Sequence, residues 1–369
     1  MSAERAELIL VTGATGFLGA HVVEQLLERG YRVRAYVSAL AETEQNLIPT
    51  SAARGNKADK LRAVYADMEG VADRVELVEI ADMATTELGD ALVGVDAVMH
   101  LAMPMAGKLA PEEQLDNAVN GILNIVGQAE EAGVRKIVVA SSIATVANSE
   151  NTFGQDDWSP LTREMALTCG VPILTYCAAK KFAELALWEW AEKHPHVEVT
   201  TINPPFFYGP FAAHSLKPAA NDFAALSTNL QLYNLLFRDG TFPSNANHYI
   251  DVRDAAAVHV RALDSNPNIG RKRVIVASPE GRSVSQILAI LTEHNPALAE
   301  RVLAEEKIPE APWTDTLPLD FKRVENIVGM RKEEFRTPEE TFRDTVDALL
   351  EVEKHWKEAG VEIGTPPVY

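Results

Sequence analysis

Short apolar runs and longer amphipathic runs alternate along the first half of the chain. The apolar runs are typical of buried parallel strands, which we expect at 8–12, 32–37, 75–80, 95–101, 135–141 and 197–203. Between them, apolar residues three and four apart predict helices over 17–29, 84–92, 111–132 and 176–193. The polar residues 41–72 are interpreted as an excursion of helix and loop. This alternation predicts a doubly wound parallel sheet, and hence an α/β fold.

The second half of the chain has a less regular pattern. From Pro204 onward, proline, asparagine and aromatic residues interrupt the apolar runs. Helices are expected over 227–237, 251–263, 284–292 and 338–357, with a strand over 273–277. A further strand near Tyr249–Ile250 is expected to return to the main sheet. We therefore expect two units, 1–203 with the parallel sheet and 204–369 as a smaller mixed α/β C-terminal lobe, some of whose segments return to the first unit.

Composition narrows the class of protein. The chain has 369 residues and a net charge of −19, which argues against nucleic acid and anionic membranes as partners. Its two cysteines, Cys169 and Cys177, are too few for a disulfide framework, so we expect a reducing, cytoplasmic compartment. The polar N-terminus does not resemble a signal peptide, and no apolar run is long enough to span a bilayer. We expect a monomer or homodimer with no metal site.

The most informative motif is Gly13-x-x-Gly16-x-x-Gly19, which lies between the first strand and the first helix. Glycines allow a tight turn there, and the backbone N–H groups of the helix N-terminus can bind the pyrophosphate of a dinucleotide. Residues 1–203 are therefore predicted to be a Rossmann-type dinucleotide-binding domain, and 204–369 a substrate-binding lobe. The residues predicted to contact the cofactor at this turn are Thr12, Gly13, Thr15, Gly16, Phe17, Leu18 and Gly19.

Two further motifs suggest chemistry. Tyr176 and Lys180 are four residues apart in a helical run, which places both side chains on one face. The ammonium is expected to lower the pKa of the phenol, so that Tyr176 can exchange a proton with a substrate. Ser141 and Ser142 end the fifth predicted strand, where hydroxyls face the ligand crevice and can bind a carbonyl oxygen. Taken alone, each motif is also compatible with a solvated helix face or a turn cap.

The motifs, in this order along the chain, resemble the extended short-chain dehydrogenase/reductase superfamily. The resemblance implies a catalytic triad of Ser142, Tyr176 and Lys180, with Ser142 preferred to Ser141 because the last hydroxyl of the strand acts in the superfamily. In the second half of the chain, the segment from Tyr249 to Ala256 also resembles the superfamily's Val-Asp-Asp-Val-Ala pattern.

The resemblance implies further site residues. A fourth catalytic residue is an asparagine on the crossover helix, for which Asn120 is preferred while Asn117 and Asn124 compete. Asp82 and Met83 resemble the pair that packs against adenine. The full set of additional cofactor contacts that the resemblance implies is Asp82, Met83, Leu101, Ala102, Met103, Tyr176, Lys180 and Pro204.

Within the superfamily the chain resembles the branch of dihydroflavonol reductases, cinnamoyl-CoA reductases and fungal aldehyde-ketone reductases. Trp188, Trp190 and the segment 335–341 carry this resemblance. Reductases of the branch usually end the second strand with an arginine that binds the adenosine 2′-phosphate, but Ser38 stands there. The candidates for binding this phosphate are Ser38, Arg34, Arg54 and Lys57. NADPH is expected as the cofactor, and NADH stays open.

The implied function is NAD(P)H-dependent reduction of an aldehyde or ketone, with Tyr176 as proton donor. The alternatives are a nucleotide-sugar epimerase or dehydratase with tightly bound NAD, and a non-catalytic NADP-binding sensor. An apolar wall suited to hydrophobic carbonyl substrates is expected from Met103, Met105, Ile143, Phe206, Tyr208, Phe223 and Asn229. The alternative for Phe206 and Tyr208 is a position in the core between the lobes.

Overall fold

The structure of the protein is a computed structural model. It describes residues 6–38, 57–66, 70–80, 82–103, 107, 109–148, 152–241, 248–308 and 317–366. The strands are β1 (Leu8–Thr12), β2 (Arg32–Ser38), β3 (Val75–Ile80), β4 (Ala97–His100), β5 (Lys136–Ala140), β6 (Glu198–Asn203), β7 (Phe206–Tyr208), β8 (Tyr249–Asp251) and β9 (Lys272–Ile275). The helices are α1 (Phe17–Glu28), α2 (Lys57–Ala66), α3 (Pro111–Glu131), α4 (Arg163–Thr168), α5 (Pro172–Lys193), α6 (Asn229–Asn234), α7 (Val252–Arg261), α8 (Val284–His294), α9 (Phe321–Val328) and α10 (Pro338–Glu358).

Seven of the strands form one parallel sheet in the order β3-β2-β1-β4-β5-β6-β9. The chain moves outward from β1 to β3, then crosses to β4 and continues on the other side, so the strand order reverses between β1 and β4. Open α/β sheets bind ligands outside the carboxyl ends of the strands at such a reversal. Thr12 of β1 is in register with His100 of β4 at this position. The predicted doubly wound α/β fold is confirmed.

Helices cover both faces of the sheet. Ile9 and Val11 of β1 pack in a core with α1 and α7, whereas Leu8 and Leu10 pack on the opposite face with α3 and α5. Alternate residues of a strand point to opposite faces, so a strand buried on both sides is a continuous apolar run. Among the described helices, none is both long and apolar enough to cross a membrane.

A separate core fills the C-terminal lobe. It lies between the two-stranded sheet β7-β8 and the helices α6, α8 and α10. The ring of Phe342 lies 5.8 Å from that of Tyr208 and 5.0 Å from that of Tyr249. Trp356 is also buried, and its indole N–H donates to the carbonyl of Pro218 at 3.1 Å. Aromatic packing therefore holds this lobe together.

The predicted helix over 84–92 is wrong. The carboxylate of Asp82 instead accepts hydrogen bonds from the amide of Ala84 and the hydroxyl of Thr85, both at 2.9 Å, which closes a turn. A short 3₁₀ helix, Gly89–Leu92, follows it. An aspartate side chain that hydrogen-bonds to nearby backbone groups competes with helix formation. Here the hydrogen bonds of Asp82 stabilise a turn, and the few apolar residues of the segment are too irregularly spaced to stabilise a helix instead.

The strand near Tyr249–Ile250 does not return to the main sheet, contrary to expectation. Tyr249–Asp251 pairs instead with β7 in the two-stranded sheet. It cannot extend because Asp251 caps α7, its carboxylate accepting from the amide of Arg253 at 2.9 Å. The later strand Lys272–Ile275 joins the main sheet beside β6.

Candidate active site

The glycine turn at the end of β1 depends on close backbone packing. Gly13 has a φ of +69°, and a Cβ there would lie 2.9 Å from the amide nitrogen of Ala102. A Cβ at Gly19 would lie only 2.0 Å from the carbonyl oxygen of Gly13. The amide of Gly16 donates to that same carbonyl at 2.9 Å. Gly13 is thus required because of its backbone conformation, and Gly19 because a side chain has no space there.

The N-terminus of α1 is free to bind an anion. No side chain caps it, and its first turn contains no acidic residue. The first N–H groups of a helix have no partner within the helix, and the helix dipole favours negative charge there. The ring of Phe17 packs against that of Phe211 at 5.6 Å, and Leu18 lies in the core. These residues therefore offer backbone amides rather than side chains, an arrangement that fits the pyrophosphate of a dinucleotide.

Thr12 holds this turn against the neighbouring strand. Its buried hydroxyl accepts from the amides of Leu101 at 3.0 Å and Ala102 at 3.1 Å, and lies 2.9 Å from Nδ1 of His100. A hydroxyl has one hydrogen, so this hydrogen goes to His100, which must be neutral with its proton on Nε2. Burial lowers the pKa of His100 to about 3, which agrees. The saturated side chain of Thr12 therefore positions the loop, and a contact of Thr12 with the cofactor stays a prediction.

Ser142 and Ser141 have different partners. Ser142 is half-exposed, and its Oγ accepts from the amide of Ala144 at 3.1 Å, which leaves its hydrogen free to be donated to a ligand. Ser141 is buried and donates to a carboxylate oxygen of Glu184 at 2.5 Å. These contacts favour Ser142 over Ser141 as the residue that binds a substrate oxygen.

Tyr176 lies on α5, which begins at Pro172, four residues earlier than expected. Proline is favourable at this first position because its missing N–H would have no partner there. The half-buried side chain of Tyr176 has a raised pKa, caused by burial and then by Cys177. The expected lowering by Lys180 is therefore wrong for this structure, and the phenol is a protonated, neutral acid.

Lys180 is buried and directed at the sheet. Its Nζ donates to the carbonyl of Ala140, the last residue of β5, at 2.9 Å. Burial lowers the pKa of Lys180 to about 8, and the carboxylate of Glu184 opposes that shift. The ammonium is thus anchored at the strand end by one of its three N–H donors, and the other two stay available to a ligand.

Glu184 is a site residue that the sequence analysis missed. Its side chain is 2% exposed, and it accepts hydrogen bonds of 3.1 Å or less from four side chains. These donors are Ser141 at 2.5 Å, Arg273 at 2.6 Å, Asn203 at 2.7 Å and Trp188 at 3.1 Å. The spacing held a signal, because Glu184 follows Lys180 by four residues and extends the Tyr176–Lys180 face of α5 by one turn.

Arg273 of β9 is the buried cation of this network. It is fully buried, and besides Glu184 its guanidinium donates to the hydroxyl of Thr145 at 2.9 Å and to the carbonyl of Gln155 at 3.0 Å. It also lies over the ring of Trp158, 3.8 Å from the ring centre. A buried charge requires such complete pairing. No sequence pattern indicated this residue.

The ends of β5 and β6 are joined beside Ser142. The amide of Ile143 donates to the carbonyl of Pro204 at 3.0 Å, and Nδ2 of Asn203 lies 3.3 Å from the carbonyl of Ser142. Pro204 follows directly after β6. The structure thus brings Pro204, a predicted cofactor contact, next to the predicted catalytic serine.

The candidate asparagines lie along α3. Asn120 is on its exposed side. Asn124 instead braces a loop, since its amide donates to the carbonyls of Met83 and Thr86, each at 3.0 Å. Met83 also faces α3, where a Cβ on Gly121 would meet its side chain at 3.7 Å. A catalytic role for Asn120 and an adenine contact for Met83 stay predictions.

Of the four residues predicted as candidates for binding the 2′-phosphate, Arg34 is corrected by the structure. Ser38 ends β2, at the edge where ligands bind. Arg34 lies four residues earlier, and its guanidinium is paired with the carboxylate of Glu76 at 2.8 Å and with two backbone carbonyls. Arg34 is therefore occupied away from the ligand edge. Arg54 and the side chain of Lys57 lie outside the described residues.

Two of the expected wall residues belong to the core. Tyr208 is fully buried, and its hydroxyl donates to Oε1 of Gln231 at 2.7 Å. Asn229 is also fully buried, and its amide donates to the carbonyl of Gly209 at 2.8 Å. A side chain without accessible surface cannot touch a ligand in the same conformation, so both are corrected to structural residues. Met105 lies outside the described residues.

The other expected wall residues keep accessible surface. Phe223 packs edge-on against Trp356 at 5.3 Å, within the aromatic cluster of the C-terminal lobe. Met103, Ile143 and Phe206 are half-exposed, and each lies three residues after the end of a strand of the main sheet. Their role as a substrate wall stays a prediction.

The glycine turn and the Ser–Tyr–Lys group define an extended short-chain dehydrogenase/reductase, which confirms the resemblance drawn from the motifs. The chain belongs to the NAD dependent epimerase/dehydratase family, whose model matches residues 9–277. It is 33% identical to a Schizosaccharomyces pombe protein named as an uncharacterised oxidoreductase, over 95% of this chain and 99% of that one. It is 30% identical to cinnamoyl-CoA reductase 1 of Arabidopsis thaliana, over 93% of this chain and 89% of that one.

The fold is similar to that of a solved structure. The crystal structure of yeast methylglyoxal/isovaleraldehyde reductase Gre2 complexed with NADPH matches with a TM-score of 0.74 and 25% identity. The match covers 94% of this chain and 99% of the yeast protein. The likeness therefore extends over both the sheet and the C-terminal lobe.

Proposed function

We propose that this protein is an NADPH-dependent carbonyl reductase that converts an aldehyde or ketone to an alcohol. The observations that carry the proposal are a donor-competent Ser142 just after β5, a buried Lys180 that donates to Ala140 at the end of the same strand, and a protonated Tyr176 one helical turn before Lys180 on α5. The names of two relatives, a cinnamoyl-CoA reductase and a methylglyoxal/isovaleraldehyde reductase, support the same chemistry.

Each residue has a defined task. NADPH supplies a hydride to the carbonyl carbon when it is bound. Tyr176 donates its phenolic proton to the oxygen that becomes the alcohol, and its raised pKa keeps that proton in place until the oxygen gains charge. Ser142 donates a hydrogen bond to the same oxygen, as an oxyanion-hole donor does. Lys180 orients the cofactor ribose and carries a positive charge beside the site.

NADPH is the proposed cofactor for two reasons. The glycine turn and the uncapped α1 N-terminus suit its pyrophosphate. The yeast relative of similar fold is complexed with NADPH. Ser38 at the end of β2 offers a hydroxyl but no charge toward the 2′-phosphate, so the preference over NADH is expected to be modest.

The proposed substrates are small hydrophobic or aromatic carbonyl compounds. Half-exposed Met103, Ile143 and Phe206 supply apolar surface near the strand ends. We propose that the protein works in the cytoplasm as a monomer or homodimer, with neither nucleic acid nor membrane as a partner.

The test is turnover by the purified protein. Oxidation of NADPH and NADH is followed with methylglyoxal, isovaleraldehyde, aromatic aldehydes, α-diketones and β-ketoesters, with Tyr176→Phe as the inactive control. We expect NADPH oxidation that depends on the carbonyl compound and is lost in the control. Epimerisation of a UDP-sugar without reduction of any simple carbonyl would overturn the proposal, as would tight NADP binding without turnover.

A further inference from the structure

We propose that Glu184 is a positioning residue of the reductase site: its buried carboxylate joins the carboxyl ends of β5 and β6 beneath Ser142 to Arg273 of β9, and it supplies the counter-charge for the Lys180 ammonium. The inference rests on the proposed function, in which Ser142 and Lys180 act on the substrate oxygen and the cofactor. Glu184 has almost no accessible surface, at 2% exposure, so it acts through other residues.

A closed ring of contacts links Glu184 to Lys180. Lys180 donates to the carbonyl of Ala140 at 2.9 Å, and the next residue, Ser141, donates to Glu184 at 2.5 Å. Glu184 and Lys180 are one helical turn apart on α5, which closes the ring. The carboxylate therefore holds both the acceptor of the ammonium and the strand end that leads into Ser142.

A second set of contacts reaches the neighbouring strands. Asn203, at the end of β6, donates to Glu184 at 2.7 Å, and Arg273 of β9 donates at 2.6 Å. Asn203 is followed by Pro204, whose carbonyl accepts from the amide of Ile143. One anion thus fixes the ends of β5 and β6, is ion-paired with Arg273, and lies one helical turn from Lys180.

Glu184 is the anion that acts on Lys180. The other titratable groups on the elements around Lys180 are Tyr176, Cys177, His100, His259 and Arg273. Burial lowers the pKa of His100 to about 3 and that of His259 to about 4, so both are neutral near pH 7. Tyr176 and Cys177 are neutral as well, because burial raises the pKa of each. Burial alone disfavours the Lys180 ammonium, and Glu184 opposes it.

Two substitutions separate the effect of the Glu184 charge from that of its side-chain length. Glu184→Gln keeps the size and removes the charge, whereas Glu184→Asp keeps the charge and shortens the side chain. Glu189→Gln, in an exposed ion pair with Lys193 on the same helix, is the matched control. The titration of Lys180 is measured in the cofactor-free protein by NMR of isotope-labelled lysine side chains, assigned with Lys180→Met. The pH dependence of kcat and of kcat/KM is measured in parallel.

We expect Glu184→Gln to lower the titration midpoint of Lys180 by about one pH unit or more. The alkaline loss of reductase activity should move in the same direction, and kcat at neutral pH should fall by about tenfold or more because the strand ends lose their anchor. Glu184→Asp should shift the midpoint much less, and Glu189→Gln not at all.

An unchanged Lys180 midpoint in folded Glu184→Gln would overturn the proposal even if kcat fell, because the role would then be structural only. An equal shift in Glu184→Asp would overturn it too. If Glu184→Gln does not fold, the double variant Glu184→Gln/Arg273→Met removes both buried charges together, which folds tolerate better, and the same titration decides. A wild-type protein that reduces no carbonyl would defeat the proposed function, while the NMR titration would still report on Glu184.

Discussion

The two halves of the site are built in opposite ways. At the end of β1, the Gly13–Gly19 turn packs backbone against backbone, with hypothetical Cβ contacts as short as 2.0 Å. At the ends of β5 and β6, the Ser142 and Lys180 region rests on a buried carboxylate with four side-chain donors within 3.1 Å. The first region tolerates no added volume, and the second tolerates no lost charge.

The difference follows from the chemistry that each region serves. A pyrophosphate needs only N–H groups and a helix dipole, which the backbone supplies without any titratable group. Proton transfer needs side chains in defined charge states, and such groups are costly to bury unless other buried groups pair with them. The catalytic region therefore needs a supporting polar network, whereas the cofactor region needs small residues.

The largest effect is expected at the catalytic side. Tyr176→Phe should lower kcat by about 10²–10⁴-fold because it removes the acid, while the affinity for NADPH changes little. Steady-state kinetics and NADPH fluorescence titration measure the two quantities. Cys177→Ala, at the adjacent position of the helix, is the control and should keep its activity. Retention of more than about half of the wild-type kcat would exclude Tyr176 as the proton donor.

Added side-chain volume tests the backbone packing of the Gly13–Gly19 turn. Gly19→Ala places a Cβ 2.0 Å from the carbonyl oxygen of Gly13, so the turn must shift. We expect weaker NADPH binding and a free energy of unfolding lower by about 1–3 kcal/mol. Gly127→Ala, in α3 with no atom within 4 Å of the new Cβ, is the matched control and should raise it by about 0.5–1 kcal/mol. Equal effects of the two substitutions would contradict the packing argument.

Thr12 supplies a side-chain hydroxyl that supports the backbone-built region. Thr12→Val keeps the shape but leaves the amides of Leu101 and Ala102 and Nδ1 of His100 without this buried partner. The free energy of unfolding should fall by about 1–3 kcal/mol, as measured by denaturant titration. Thr12→Ser keeps the hydroxyl and should cost much less. If valine and serine behave alike, the hydroxyl is not what holds the turn.

The smallest expected effect concerns cofactor choice. Ser38→Arg adds a charge at the end of β2 and should raise the NADPH-to-NADH ratio of kcat/KM by about tenfold, since a charged hydrogen bond contributes roughly 1.5–3 kcal/mol. Ser38→Gln, long but uncharged, should change the ratio much less. An unchanged ratio in the arginine variant would mean that the 2′-phosphate does not lie near Ser38.

Much of the fold follows from local pattern. Strands buried on both faces are apolar throughout, and β1, which is such a strand, was predicted with its observed bounds. The edge strand β3 was also predicted with its observed bounds, although it contains Glu76 and Glu79 and is only partly buried. The helix over 84–92 failed because the bonds of Asp82 to its own turn outweighed a weak periodicity. The strand at Tyr249–Asp251 was found, but its pairing depends on which other edge is free, and no local pattern contains that information.

The sequence by itself determined the order of elements, the glycine turn and the serine, tyrosine and lysine of the site, because each depends on residues close together in the chain. Only the tertiary structure decided that Arg273 pairs with Glu184, 89 residues away, and that Tyr208 and Asn229 are core residues. It also reversed the expected pKa shift of Tyr176, by burying the phenol and turning Lys180 toward Ala140. Burial and charge pairing depend on which strands become neighbours, and that is set by the packing of the whole sheet.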